Sequence, residues 1–195
     1  MELEFKPVVA GDIDRLRPFY GLRPNKTCDS VFLDSFLWKD YYHVQCAVSE
    51  GRAVLWLMEK DGQVSTAMPL CREEDLPYFF QQMVDYFSGV LHKPFYISLA
   101  DEEAVQCLNL DPALFEVEEQ VDLKDYLYSG EELRKLEGKK FVKKRNHLNG
   151  FKRTYEGRYE YRRLCCSDRH EVWQFMERWR QHKEEVGAME LSLDY

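Results

Sequence analysis

Two short turn signals define the centre of the predicted fold. The dipeptides Glu50-Gly51 and Asp61-Gly62 separate three strand-like runs, at residues 43–49, 52–59 and 63–70. Asp-Gly between apolar runs is typical of a tight hairpin, because both residues tolerate the left-handed backbone that such a turn needs. The sequence therefore predicts an antiparallel meander of three strands.

Helical and extended patterns alternate around this meander. A short aromatic-rich helix is predicted over residues 31–41 and a shorter one over 101–108. A long amphipathic helix is predicted over 73–91, and its apolar face is Leu76, Phe79, Phe80, Met83, Phe87 and Val90. Further strands are predicted at residues 3–8, 94–99, 115–127 and 159–164. This order predicts an α/β (α+β) fold with a mixed, mostly antiparallel sheet flanked by helices.

The C-terminal third of the sequence reads as three helices. Ser129 has capping-box spacing for the first of them, and Gly138 is expected to break it. A second, basic helix follows over residues 139–153 and ends before Gly157. The third runs over 168–186, with an apolar stripe at Val172, Phe175, Met176, Trp179 and Val186.

Composition excludes several classes of protein. The chain of 195 residues is 45% hydrophobic, and its 12 Phe, 12 Tyr and 4 Trp can fill a core. No apolar stretch approaches the roughly 20 residues of a membrane span, and the N-terminus has no secretion signal, so a cytoplasmic location is expected. The six Cys and five His show no metal-binding spacing. We therefore expect free thiols, no metal and no cofactor, since nucleotide-binding glycine motifs are absent as well.

Charge is distributed unevenly along the chain. The net charge is −8, but residues 134–163 contain 12 Lys and Arg against three Glu, which gives this segment +9 and leaves −17 for the rest. Like charges at this density repel unless an anionic group compensates them. Two sources are open: the acidic remainder of the chain together with solvent, or the phosphates of RNA or lipid headgroups. On the phosphate hypothesis, the candidate anion-binding residues are Lys139, Lys140, Lys143, Lys144, Arg145, Asn146, His147, Lys152 and Arg153. Phe141, Leu148 and Phe151 would form the inward seam of this helix.

The strand order is similar to the fold of GCN5-related N-acetyltransferases. Those enzymes hold the coenzyme A pyrophosphate on a glycine-containing loop at a helix N-terminus. The corresponding junction here, at residues 69–75, has no glycine and contains Glu73, Glu74 and Asp75. We therefore expect no coenzyme A site at this junction.

The basic run also resembles a known family. Residues 139–153, which read KKFVKKRNHLNGFKR, and the following Tyr159-Glu160-Tyr161 are similar to the signature of proteins related to the C-terminal catalytic domain of phosphatidylglycerol lysyltransferase. The likeness extends more weakly over most of the chain, including the aromatic segment at 32–42. Characterised members have two acyltransferase-like halves in tandem and move an aminoacyl group from charged tRNA to a phospholipid. Their catalytic positions lie chiefly in the second half, so the resemblance carries no catalytic residue onto this chain.

The resemblance implies a division of the chain and a function. Residues 1–128 would be a first acyltransferase-like domain, and 129–195 would connect to and begin a second, truncated one. The chain would then be the non-catalytic half of an acyl- or aminoacyl-transferase of unknown acceptor, inactive by itself, with a basic helix for charged tRNA or for anionic lipid headgroups. The alternative is a non-enzymatic binding or regulatory module that meets a protein or RNA through the same face. On the last helix, the sequence favours a core position for Trp173, Met176 and Trp179. The alternative is an interface, formed by self-association or by docking of a missing C-terminal half.

Overall fold

The computed structural model describes residues 3–23, 27, 31–98 and 100–185, with side chains described as far as residue 182. The chain separates into two compact units, Met1–Tyr128 (unit 1) and Ser129–Tyr195 (unit 2). That unit 2 begins another acyltransferase-like domain stays a prediction. In the described part of the chain, no helix is long and apolar enough to cross a membrane.

Unit 1 is built on a four-stranded antiparallel sheet in the order β1-β2-β3-β4. The strands are β1 (Lys6–Pro7), β2 (Gln45–Ser49), β3 (Ala53–Lys60) and β4 (Gln63–Ser65). The predicted meander is therefore confirmed. At the second turn, Lys60 pairs with Gln63, and Asp61 and Gly62 have φ values of 53° and 81°. A positive φ at both central residues is what a type I′ hairpin turn requires.

Helices cover both faces of this sheet. They are α1 (Ile13–Leu16), α2 (Phe32–Leu37), α3 (Leu76–Tyr86) and α4 (Glu102–Leu108). Successive residues of a strand face opposite sides, and β3 shows this directly. Ala53 and Leu55 pack in a cluster with the buried face of α3, whereas Val54 and Trp56 pack in a second cluster with Leu16 and Phe32. The predicted α+β fold, a mainly antiparallel sheet flanked by helices, is confirmed.

Three of the predicted strands are wrong. The one at 94–99 is reduced to a single parallel bridge between Thr66 and Ile97, and Leu99 lies outside the described residues. The segment 115–127 contains only a 3-10 turn at Val121–Leu123, and 159–164 forms no strand. Alternating residues provide two faces, but a ladder also needs a partner strand. Among the described residues, these three segments have no bridge partner other than Thr66.

Unit 2 contains the three predicted helices. They are α5 (Gly130–Lys135), α6 (Val142–Thr154) and α7 (Arg169–Glu185). The Ser129 side chain accepts the N–H of Glu132 at 3.4 Å, so the predicted N-cap is confirmed. The predicted break before α6 is confirmed as well, because Leu136 and Gly138 have φ values of 51° and 83° and cannot continue a right-handed helix. Val186, the last residue of the predicted stripe, lies outside the described residues.

A buried ion pair ties Arg23 to the start of α4. The two Nη atoms of Arg23 donate to the Asp101 carboxylate at 2.7 and 2.8 Å, and both side chains are 7% exposed. The same carboxylate accepts the N–H of Ala104 at 2.8 Å and so caps the helix. Burial raises the pKa of Asp101, but the hydrogen bonds from Arg23 and Ala104 and the guanidinium charge outweigh it. The pKa is therefore held below its ordinary value.

We expect Asp101→Asn to lower the free energy of unfolding by about 3–5 kcal/mol at pH 7, because it leaves a buried guanidinium without its counter-charge. The folded-state pKa of Asp101 is below the unfolded value of about 3.9. The pair is therefore fully stabilising above that value, and its contribution is lost as pH falls through the folded-state pKa. Urea unfolding should show a smaller difference in the free energy of unfolding between wild type and variant at pH 3 than at pH 7.

The exposed Asp122→Asn variant is the matched control. It should change the free energy of unfolding by no more than about 0.5 kcal/mol at either pH. A gap for Asp101→Asn that is equally small at pH 7, or that does not change with pH, would contradict the stabilising role of the ion pair.

A basic helix as the candidate anion-binding site

The basic segment, residues 139–153, begins with a 3-10 turn at Lys139–Phe141 and continues as α6. Of the three residues predicted to form its inward seam, only Phe141 is buried, at 5% exposure. Leu148 and Phe151 are 42% and 46% exposed, so that part of the prediction is wrong. The error has a simple cause, since helical spacing shows which residues share a face but not whether another element covers it.

The predicted anion-binding residues lie along one continuous segment of mostly exposed residues. All of them are exposed except Arg145, which is half-buried. Lys139 and Lys143 are four residues apart, as are Lys140 and Lys144, and residues at this spacing are neighbours on a helix surface. The segment therefore places like charges side by side, and α6 itself contains no acidic residue that could separate them.

Some of these charges are neutralised within unit 2, and others are not. Glu132 of α5 accepts from Lys140 at 2.6 Å, and Glu131 accepts from Lys135 at 2.8 Å. In the described part of the chain, the exposed cations of the basic segment without a carboxylate within 4.0 Å are Lys139, Lys143, Lys152 and Arg153. The described acidic residues of unit 2 thus compensate only part of this surface.

Arg145 has a different role from its neighbours. Its Nη1 donates to the carbonyl oxygen of Leu136 and, at 2.9 Å, to that of Gly138. Both carbonyls belong to the connection between α5 and α6, where the left-handed residues end the first helix. The Arg145 side chain therefore positions the start of the basic segment, and its guanidinium is partly withdrawn from solvent.

The four lysines at the start of the basic segment oppose the dipole of α6. The N-terminal end of a helix carries partial positive charge, and a cation in the first turn costs roughly 0.3–1 kcal/mol at low ionic strength. Lys139, Lys140, Lys143 and Lys144 all lie at this end. An anion bound here would interact favourably with the ammonium groups and with the unsatisfied N–H groups of the first turn.

An open depression of about 610 Å³ lies at the other end of α6. It is lined by Asn149, Lys152, Arg153, Glu156, Gly157 and Tyr159. Tyr159, together with Phe151 and Tyr155, forms an exposed group of rings at this position. Residue spacing did not reveal this group, because Phe151 was assigned to the inward seam and Tyr159 to a strand.

The junction at residues 69–75, where the sequence predicts no coenzyme A site, leads into α3 of unit 1. A 3-10 turn at Glu73–Asp75 precedes α3. Asp75 accepts from Arg52, whose guanidinium carbon lies 5.5 Å from the centre of the Phe79 ring. This helix N-terminus is therefore surrounded by the protein's own carboxylates, which would repel a pyrophosphate.

Cys71, a buried cysteine of unit 1, is poorly suited to act as a nucleophile. Burial raises the pKa of the Cys71 thiol to about 11, so the thiol is protonated at neutral pH and a poor nucleophile. Within the described residues, no three His, Cys, Asp or Glu side chains come together in a way that could hold a metal ion. The basic segment is therefore the candidate site.

Comparison with known proteins agrees with the sequence resemblance. The family model described as phosphatidylglycerol lysyltransferase, C-terminal, matches residues 21–195, and the chain belongs to this family. It is similar to the crystal structure of a conserved protein of unknown function from Bacteroides thetaiotaomicron VPI-5482, with a TM-score of 0.82 and 24% identity. That likeness covers 95% of this chain and 62% of the other, and at this identity it shows the fold alone. No curated protein matches the chain.

We expect Arg145→Gln to destabilise unit 2 by about 1.5–3 kcal/mol, because hydrogen bonds from a charged donor to two carbonyl oxygens are lost. Lys143→Gln removes the same charge from an exposed position two residues earlier and should stay within about 0.5 kcal/mol of wild type. Thermal unfolding followed by far-UV circular dichroism measures both variants. Equal effects would contradict the positioning role of Arg145.

Proposed function

We propose that the chain is the non-catalytic part of an aminoacyl- or acyltransferase and that its basic segment recruits the anionic donor, a charged tRNA. The proposed location is the cytoplasm, where charged tRNA is found. The acceptor is left open, as are the catalytic residues. Attack on an activated carbonyl needs a hydrogen-bond donor to the developing oxyanion and a group that accepts a proton, and we assign these roles to no residue of this chain. The residues proposed to meet the donor are Lys139, Lys140, Lys143, Lys144, Asn146, His147, Lys152 and Arg153.

One observation carries this proposal: four exposed cations of the basic segment lack a carboxylate partner within the described residues. Exposed charge is cheap in water, and a solubilising surface needs no more than that. Here, however, the cations are adjacent to one another and lie partly against the helix dipole. Lys139 and Lys143, at the start of the segment, therefore cost stability, whereas Lys152 and Arg153 lie in the last turn of α6, where the dipole favours them. A bound polyanion would interact favourably with all four.

The length of the segment favours RNA over single lipid headgroups. The 13 residues of α6 span about 20 Å at 1.5 Å per residue, and the cations extend over both ends. A nucleic acid backbone offers several phosphates along such a distance and releases counterions from each when it is bound. Neutral hydrogen-bonding side chains lie among the cations, at Asn146, His147 and Asn149, and these can meet ribose and phosphate oxygens.

Membership of the family supports the enzymatic part of the proposal. The family is named for phosphatidylglycerol lysyltransferase, and the resemblance to that family implies charged tRNA as the donor of the aminoacyl group. The absence of a glycine loop at residues 69–75, with Asp75 already held by Arg52, argues against coenzyme A as the donor. The proposal therefore requires a different anionic carrier, which the basic segment is suited to bind.

Salt dependence of RNA binding tests the proposal. The test variant has Lys139, Lys143, Lys152 and Arg153 changed to Gln. For deacylated tRNA, the negative slope of log K against log salt should become shallower by about 3, because each lost phosphate contact removes roughly 0.7–0.9 from its magnitude. Fluorescence anisotropy between 50 and 300 mM salt measures the slope. Binding of the wild type and the variant to anionic phosphatidylglycerol vesicles is measured in the same way.

A control variant of equal charge change makes the test specific. Lys6, Arg15, Lys124 and Lys135 are exposed or half-exposed cations that each pair with a carboxylate, and their change to Gln should leave the tRNA slope nearly unchanged. If both variants lose tRNA affinity equally, net charge explains the binding and the basic segment does not. If only vesicle binding depends on the four cations, lipid headgroups replace tRNA as the ligand.

A further inference from the structure

An exposed group of three rings, the aromatic cluster, lies at the C-terminal end of α6. The Phe151 ring centre is 4.9 Å from that of Tyr155 and 5.0 Å from that of Tyr159. The three residues remain 46%, 45% and 47% exposed, respectively. The rings contact one another but keep about half of their surface in solvent. The part of each ring that is left in solvent is available to a ligand.

Positive charge surrounds the aromatic cluster. The Arg158 guanidinium carbon lies 5.3 Å from the centre of the Tyr155 ring. Lys152 and Arg153 line the open depression that Tyr159 also lines, together with Asn149 and a single acidic residue, Glu156. The Tyr159 ring, the Lys152 and Arg153 cations and the Asn149 amide therefore line one open depression. Arg158 contacts the aromatic cluster through Tyr155.

This combination matches the chemistry of unpaired nucleotides. Each base presents a π-face that stacks on aromatic rings whatever the sequence, while the phosphates that link the bases require cations beside the rings. Asn149 adds an amide that can donate to and accept from a base edge. A purely apolar protein partner would leave Lys152, Arg153 and Arg158 without counter-charges, and burying them unpaired is costly.

We propose that the aromatic cluster stacks the unpaired bases of an RNA strand, with Lys152, Arg153 and Arg158 binding the phosphates between them. This inference rests on the proposed function, because it assigns to the tRNA donor a particular part of the surface. The amino acid of a charged tRNA is attached to a single-stranded end. The N-terminal cations of α6 would contact the paired backbone, and the aromatic cluster would hold the unpaired end.

The first test uses the wild-type chain and needs no substitution. Anisotropy titrations compare an RNA hairpin that has a four-nucleotide 3′ overhang with the same hairpin whose four overhang positions are abasic. The two ligands carry the same phosphates, so the cations bind them alike. We expect the hairpin with bases to bind roughly 5- to 100-fold more tightly, which corresponds to stacking of one base.

The second test localises that preference. Tyr155→Leu combined with Tyr159→Leu should abolish it while leaving the affinity for the abasic hairpin and its salt slope unchanged. The control is Tyr161→Leu, which removes a 97% exposed ring in the same unit and should keep the preference. Tyr159→Phe, which retains the ring without the hydroxyl, should keep it as well.

Each outcome bears on one proposal or on both. If wild type binds the two hairpins equally and with a normal salt slope, base stacking is overturned while donor recruitment by the basic segment stands. If neither hairpin binds, both proposals fail. If sedimentation shows that wild type self-associates and the double Leu variant does not, the aromatic cluster is an interface between copies and the stacking inference is overturned.

Discussion

Repulsion among the cations of the basic segment is the constraint on which the proposed site depends. Lys139, Lys140, Lys143 and Lys144 lie at the helix end where the backbone dipole disfavours positive charge, and their i,i+4 spacing makes them neighbours. Such an arrangement folds only if other contacts offset its cost. Burial of the Phe141 ring and the hydrogen bonds from Arg145 to the carbonyls of Leu136 and Gly138 are two such contacts. Departures from local rules of this kind are expected where a surface serves binding rather than stability.

Local signals in the sequence predicted much of the fold, and long-range ones did not. The Asp61-Gly62 turn, the capping of α5 by Ser129 and the end of that helix before Gly138 all follow from what a few consecutive residues can do with their own backbone. The predicted strands at 115–127 and 159–164 are wrong, because a strand forms only when another segment of the chain pairs with it. Alternation of apolar and polar residues gives the faces of a strand but never the ladder.

The candidate site shows the same division between composition and contact. The sequence located the basic segment, since charge can be counted without a structure. It could not show that Glu132 of α5 pairs with Lys140, because no spacing rule relates Lys140 to a carboxylate eight residues earlier. It also misjudged Phe151, whose exposure depends on what covers the helix. The sequence therefore predicts a surface of charged and neutral polar groups, and it does not predict the aromatic cluster beside them.

The two units differ in how they would meet a polyanion. Unit 1 has 11 basic and 23 acidic residues, a net charge of −12, whereas unit 2 has 16 basic and 12 acidic residues, a net charge of +4. Long-range repulsion from unit 1 and attraction to unit 2 would orient an approaching nucleic acid before any contact forms. Electrostatic steering of this kind selects for phosphate and not for sequence or for unpaired ends. A donor that must present one particular end therefore needs a second, uncharged means of recognition close to the cations, and exposed rings next to Lys152 and Arg153 supply the chemistry for it.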